Sequence, residues 1–240
     1  MADLVALARA ATVVDLTHVL TPEFSLFPSY DPVRVADRFT VARDGFKARS
    51  WSFDEHCGTH VDAPAHFAAD GATVDELDPA ELVLEAIVLD VRARVRTDHD
   101  TAVTPDDVRD FERRHGLLPE GCALLALTGW GERAGDDDAY RNVDAAGVSH
   151  HPGFAPETTD FLLAERPGVR AIGLDTISLD IGATTDFPAH CSWLPAGRFG
   201  IENVANLERL PPRGALLIVG APALQAGSGG PTRLLALIGS

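Results

Sequence analysis

Two kinds of hydrophobic pattern run along this chain. Ala86-Ile87-Val88-Leu89-Asp90-Val91 and Ala123 to Leu127 are apolar without alternation, the mark of a strand covered on both faces. Val169 to Leu174 forms a further strand, and Leu216-Leu217-Ile218-Val219 and Leu234 to Ile238 close the sheet. Val13-Val14-Asp15-Leu16 and Ala48 to Phe53 add short strands near the N-terminus. Between these runs lie helices with readable ends. Thr104-Pro105-Asp106-Asp107 offers a capping hydroxyl, a proline in the first turn and acids at the positive end of the helix dipole, and Gly116 stops the helix after His115. Pro156-Glu157-Thr158 opens another that reaches about Glu165. Leu4 to Ala10 predicts a short helix packed on the body; it is too short to span a bilayer and no basic segment precedes it, so neither anchor nor leader is expected there.

Strands alternate with helices, while the early strands are short and hairpin-like. The pattern therefore predicts an α/β fold with a mixed rather than purely parallel sheet. No repeat, low-complexity stretch or long linker interrupts residues 1–240, which are expected to form one domain. The hydrophobic fraction of 45% suits a globular core, and the net charge of −16 argues against nucleic acid or an anionic membrane surface as partner. Part of that charge, Asp136-Asp137-Asp138, reads as a solvated loop. Three cysteines, Cys57, Cys122 and Cys191, are too few and odd in number for a disulfide framework and fit a reducing, cytoplasmic setting.

The chemistry is concentrated in His56-Cys57-Gly58-Thr59-His60-Val61-Asp62-Ala63-Pro64-Ala65-His66-Phe67. Three imidazoles and a carboxylate in so short a span are donors for a first-row divalent metal, with an acid/base group to spare. In a straight strand His56 and His60 would be about 13 Å apart, at ~3.3 Å per residue, too far to share an ion. Pro64 and Gly58 oppose one continuous helix. A bent connection remains, with His60 and Asp62 on one face of a short extended piece and His66 beyond the bend at Pro64. Cys57 and Cys191 adjoin candidate ligands but need not point at the same ion, so neither is expected to ligate. Farther along, Asp186-Phe187-Pro188-Ala189-His190 and Gly200-Ile201-Glu202 carry an imidazole and a carboxylate. They would complete a site of two ions bridged by Asp62. On their own they read equally well as a solvated histidine and an acid in the first turn of a helix.

The segment His56 to Phe67 resembles the HxGTHxDxPxHF signature of the metal-dependent cyclase family, which includes bacterial kynurenine formamidases and isatin hydrolases. The similarity continues through Val14-Asp15-Leu16-Thr17, Leu127-Thr128-Gly129-Trp130, Gly173 to Asp180 and Gly227-Ser228-Gly229-Gly230-Pro231. The resemblance implies a swivelling β/β/α domain, often a homodimer or homotetramer, binding one or two divalent ions, Zn2+ or Mn2+. It implies His56, His60 and Asp62 as ligands of the first ion. Asp62, His190 and Glu202 would hold a second, with Glu202 contacting both. His66 would move protons. Phe27-Pro28 stands where the formamidases carry a tryptophan before proline, keeping an aromatic face for substrate without the indole N–H.

The implied activity is hydrolysis of an amide, cyclic amide or lactone of a small aromatic molecule, by water that a divalent ion acidifies and His66 deprotonates. No G-x-S-x-G elbow points to a serine nucleophile. The alternative is a cyclase or lactonase acting on a larger secondary metabolite, which predicts a wide apolar pocket around Phe27. A non-catalytic metal-binding module would have no use for His66. Phe24, Phe27 and Tyr30, with Pro22 and Pro28 among them, form an aromatic loop that either covers the site or packs into the core; Trp130 and Phe187 present the same choice.

Overall fold

A computed structural model of the chain describes residues 3–239. Its strands are β1 (Thr12–Asp15), β2 (Arg34–Phe39), β3 (Ala48–Ser52), β4 (His60–Asp62), β5 (Val83–Asp90), β6 (Ala102–Val103), β7 (Cys122–Leu127), β8 (Gly153–Phe154), β9 (Val169–Leu174), β10 (Phe199–Glu202), β11 (Ala215–Gly220), β12 (Gly229–Pro231) and β13 (Arg233–Ile238). Its α-helices are α1 (Leu4–Ala10), α2 (Val41–Asp44), α3 (Arg92–Val95), α4 (Pro105–His115), α5 (Asp137–Arg141), α6 (Pro156–Glu165) and α7 (Pro188–Trp193).

Nine strands form one mixed sheet in the order β1-β13-β11-β5-β7-β9-β10-β4-β12. The centre, from β5 through β7 and β9 to β10, is parallel, and antiparallel pairs extend it on both sides. The apolar runs of β5, β7 and β9 are explained by cover on both faces. Ile87, Leu89, Leu124, Ile172 and Leu174 face α4, α6 and α7. Ala86, Val88, Ala123, Leu125 and Ala171 face inward with Val14, Val61, Ile201 and Leu217. That second cluster joins residues from opposite ends of the strand order because the sheet curls strongly. Only Thr232 separates β12, which pairs with β4, from β13, which pairs with β1 and β11. One extended segment therefore ties the two margins together, and a Thr17–Val204 bridge adds a second tie.

The local signals that predicted α4 are all in use. The Thr104 hydroxyl accepts from the Asp107 N–H, the Asp107 carboxylate accepts from the Thr104 N–H, and Gly116 turns with φ +89°. α6 runs from Pro156 to Glu165, as its proline start predicts. Two expectations change. α1 forms, with the Asp3 carboxylate accepting from Val5 and Ala6, but it buries no side chain: Leu4 is 79% exposed, so the helix is held by its cap and not by packing. The triple aspartate is the start of α5, where Asp136 accepts from the Ala139 N–H. Among the described residues no helix is long and apolar enough to cross a membrane.

Candidate metal centre

Four segments converge at the open end of the curled sheet. Gly58 turns the chain with φ +62°, a left-handed conformation that favours glycine. The chain then enters β4, where His60 and Asp62 share a face and Val61 fills the core behind them. Pro64 starts a single 3-10 turn that carries His66. β10 runs antiparallel to β4 and sets Glu202 opposite His60 and Gly200 opposite Asp62. Glu202 is thus the last residue of a strand; the reading of it as a carboxylate in a helix's first turn is set aside. His190 stands in the first turn of α7, immediately after Phe187 in the left-handed region.

Asp62 has room because both cross-strand neighbours are glycines, Gly200 on β10 and Gly229 on β12. A Cβ at Gly200 would sit 2.8 Å from Asp62 Oδ2, and one at Gly229 would sit 2.6 Å from His56 Cε1. Gly200→Ala is therefore expected to displace the carboxylate and lower turnover on the order of 10²-fold, the cost of a displacement of about 1 Å in a reacting site. Wild-type turnover in that variant would show that the close approach is not needed.

Hydrogen bonding fixes which nitrogen two of the imidazoles present. His60 Nδ1 donates to the Gly58 carbonyl at 2.9 Å, leaving Nε2 bare; it lies 3.2 Å from Asp62 Oδ1 and 3.4 Å from Glu202 Oε2. His190 Nδ1 donates to Asp180 Oδ2 at 2.5 Å, so its bare Nε2 faces Glu202 Oε1 at 3.1 Å and Asp62 Oδ2 at 3.8 Å. His56 Nδ1 faces Asp62 Oδ1 at 2.6 Å. His60 Nε2 and Asp62 Oδ2 are buried without any hydrogen-bond partner. Lone pairs aimed at lone pairs in a dry pocket are costly unless a cation lies among them. Imidazole nitrogens and carboxylate oxygens are what a divalent transition ion takes, so these residues fit one.

The electrostatics point the same way. Burial opposes a charge on His60, but the negative charge of Asp62, with that of Glu202 behind, holds the ring up to about 9. Burial opposes charge on His190 as well, and Asp180 and Glu202 hold it up to about 10. Asp62 stays well below the usual carboxylate range despite burial, chiefly through the charge of His60. Glu202 is pushed up by burial and by the Asp62 charge. The cluster thus holds positive charge strongly, as a cation site does. His66 differs. Burial drives it down to about 4, leaving the ring neutral, and it stacks on His56 with centroids 3.8 Å apart. Oxygen or nitrogen atoms of His56, Asp62 and His66 lie close enough to share an ion, as do those of His60, Asp62 and Glu202.

These donors line one side of a cavity of about 220 Å³, whose other walls include Phe27, Tyr30, Phe67 and Phe187. Phe27 packs on Phe187 with centroids 5.9 Å apart, and Tyr30 stacks over His56. The aromatic loop is divided: Phe27 and Tyr30 face the cavity, whereas Phe24 is buried against His18 and Tyr140. Trp130 is core; its indole N–H donates to the Tyr140 carbonyl at 2.7 Å. Cys57 is buried with its thiol pushed up to about 12 by burial, Cys191 is exposed, and neither joins the donor set.

Two carboxylates important here carry no local sequence signal. Asp180 orients His190, and also accepts from the Ala189 N–H at 2.6 Å. Asp175 accepts from the N–H and hydroxyl of Thr128 and from the Gly129 N–H, pinning the end of β7 beside β9. Both lie in stretches noted for the family resemblance; only the folded chain reveals their partners.

Comparison with known proteins agrees with this geometry. Residues 14–181 match the cyclase family model, described as "Putative cyclase". The chain is 34% identical over 249 aligned residues to isatin hydrolase of Roseibium aggregatum, covering 97% of this chain and 94% of that protein. It is 27% identical to kynurenine formamidase of Salinibacter ruber, covering 92% and 94%. The structure of isatin hydrolase A from Ralstonia solanacearum superposes with a TM-score of 0.91 at 35% identity, covering 98% of this chain and 95% of that one.

Proposed function

The chain belongs to the cyclase family and is a metal-dependent amide hydrolase; from that premise we propose that it opens a small cyclic amide of the isatin type. The ligands in this reading are His56, His60 and Asp62, with His190 and Glu202 completing the set, and His66 is the acid/base. The observation that carries it is the convergence of bare imidazole nitrogens and buried carboxylates on one wall of an aromatic cavity. A volume of about 220 Å³ lies below the ~300–1,000 Å³ usual for drug-sized ligands, which suits a flat bicyclic substrate. The same volume counts against the alternative, a cyclase or lactonase with a larger secondary metabolite.

When bound, a divalent ion supplies a Lewis acid that polarises the amide carbonyl and acidifies water. The protein does the rest. Phe27, Phe187 and Tyr30 clamp the aromatic ring and exclude bulk water. His66, neutral in its buried setting, takes a proton from the attacking water and returns it to the amide nitrogen as the carbon–nitrogen bond breaks. The mixed nitrogen and oxygen donors suit Zn2+ or Mn2+, and five of them give room for one or two ions.

Three free cysteines support a reducing, cytoplasmic setting. A homodimer is supported by the β2–β3 hairpin, whose segment exposes Phe39, Val41, Phe46, Trp51 and Phe53 and which pairs only with itself. An isolated two-stranded hairpin is marginal. The segment holds Arg34, Arg38, Arg43, Lys47 and Arg49 against Asp37 and Asp44, a basic arm complementary to the acidic remainder of a second copy.

The test is a comparison of kcat/KM for isatin, an N-formylaniline and an aryl lactone with metal-loaded enzyme. Isatin should lead by at least ~10-fold, the discrimination a shaped apolar pocket supplies. A preference for the open-chain formamide or the lactone would refute the cyclic-amide assignment.

A further inference from the structure

The stretch Gly227-Ser228-Gly229-Gly230 is used neither by the proposed ligand set nor by the substrate cavity. Its Ser228 Oγ nevertheless lies 2.9 Å from His56 Nε2, across 172 residues of sequence. Ser228 also faces Glu55. Its hydroxyl is 2.7 Å from Glu55 Oε2, and its N–H donates to the same oxygen at 2.8 Å. A carboxylate can only accept, so the Ser228 hydroxyl proton points to Glu55. Toward His56 the serine oxygen can then only accept, and His56 Nε2 must carry the ring proton. That leaves Nδ1 as the bare nitrogen, and Nδ1 is the atom facing Asp62 Oδ1 at 2.6 Å.

The backbone around Ser228 is shaped for this contact. A Cβ at Gly229 would lie 2.6 Å from His56 Cε1, and one at Gly227 would lie 3.1 Å from Glu55 Oε1. The Ser228 carbonyl accepts from Ala63 N–H at 2.8 Å, which fixes the serine in register with the residue after Asp62. Small neighbours on both sides let one hydroxyl fit between an imidazole and a carboxylate.

The geometry points to Glu55 and Ser228 as positioning residues: through a directed chain of hydrogen bonds, Glu55 to Ser228 to His56, they hold His56 in the tautomer that offers Nδ1 to the divalent ion. This rests on His56 being a ligand. The chain has a direction because a carboxylate oxygen can only accept. Glu55→Ala removes that acceptor, which frees the hydroxyl to donate to Nε2 and so admits the opposite tautomer, with its proton on Nδ1. Ser228→Ala removes the relay altogether, and Ser228→Thr keeps it.

The experiment titrates Zn2+ and Mn2+ separately into metal-free wild type, Ser228→Ala, Glu55→Ala and Ser228→Thr, followed by calorimetry. Nitrogen-15 spectra of the zinc-loaded proteins then report which His56 nitrogen is protonated. Wild type is expected to bind with His56 protonated at Nε2. Ser228→Ala and Glu55→Ala are expected to bind on the order of 10- to 100-fold more weakly, the usual effect of removing a group that orients a ligand, and Ser228→Thr to bind like wild type. Melting of the metal-free proteins separates this from misfolding, and Glu55→Ala carries the test should Ser228→Ala not fold. Affinity within twofold of wild type in both folded variants, or a zinc-loaded His56 protonated at Nδ1, overturns the relay. Wild type that binds neither ion would instead overturn the ligand role of His56.

Discussion

Replacing Asp62 with alanine is expected to strip the protein of its divalent ion and, with it, on the order of 10³-fold or more in kcat/KM. Lewis-acid stabilisation is worth several kcal/mol, and each ~1.4 kcal/mol is a factor of ten in rate. Asp62 is the hub of the site: its Oδ1 faces both His56 and His60, and its Oδ2 faces His190. Among the described residues no other carboxylate faces all three rings. The substitution only removes volume, from a spot already hemmed by Gly200 and Gly229, so the fold should survive. Metal content by elemental analysis and a circular dichroism spectrum check both halves of the expectation. Full metal occupancy in the variant would remove Asp62 from the ligand set.

His66→Ala should behave differently: kcat should fall by ~10²–10⁴, the range for a general acid/base, while the metal stays. Among the described residues none makes a hydrogen bond to the His66 ring of the kind that orients a ligand, and burial keeps that ring neutral near pH 7, the form a base requires. Its position beside His56 and Asp62 makes a competing role possible to define, that of a further ligand. The two roles separate cleanly. A base lost leaves stoichiometry unchanged, whereas a ligand lost lowers metal content and rate together, and that second outcome would reassign His66.

The parts of the fold that were legible in the sequence are those specified locally. α4 carries its own cap and proline and α6 its proline, and β5 and β7 announce burial on both faces by unbroken apolar runs. β4 and β12, three residues each, carry no such mark; they exist because β12 pairs with β4 and β4 with β10. α1 was legible as a helix from the run Leu4 to Ala10, but its docking was not, since packing depends on a surface elsewhere that the folded chain does not offer.

The site divides along the same line. His56, His60, Asp62 and His66 fall within eleven residues, so their spacing alone suggested a shared purpose. Glu202 was legible through the family resemblance alone: by itself its setting reads equally well as a helix start, until β10 is seen to place it across from His60. Glu55, Ser228 and Asp180 are ordinary residues in the sequence, and acquire meaning only through which atom of which histidine they touch.

Anomalous diffraction at the zinc and manganese edges, from crystals of protein purified without chelator, tests the central claim most directly. An ion is expected within direct bonding distance of His56 Nδ1, His60 Nε2 and an Asp62 oxygen, about 2.0–2.2 Å for zinc. Fully active protein with no anomalous peak among these residues would contradict it.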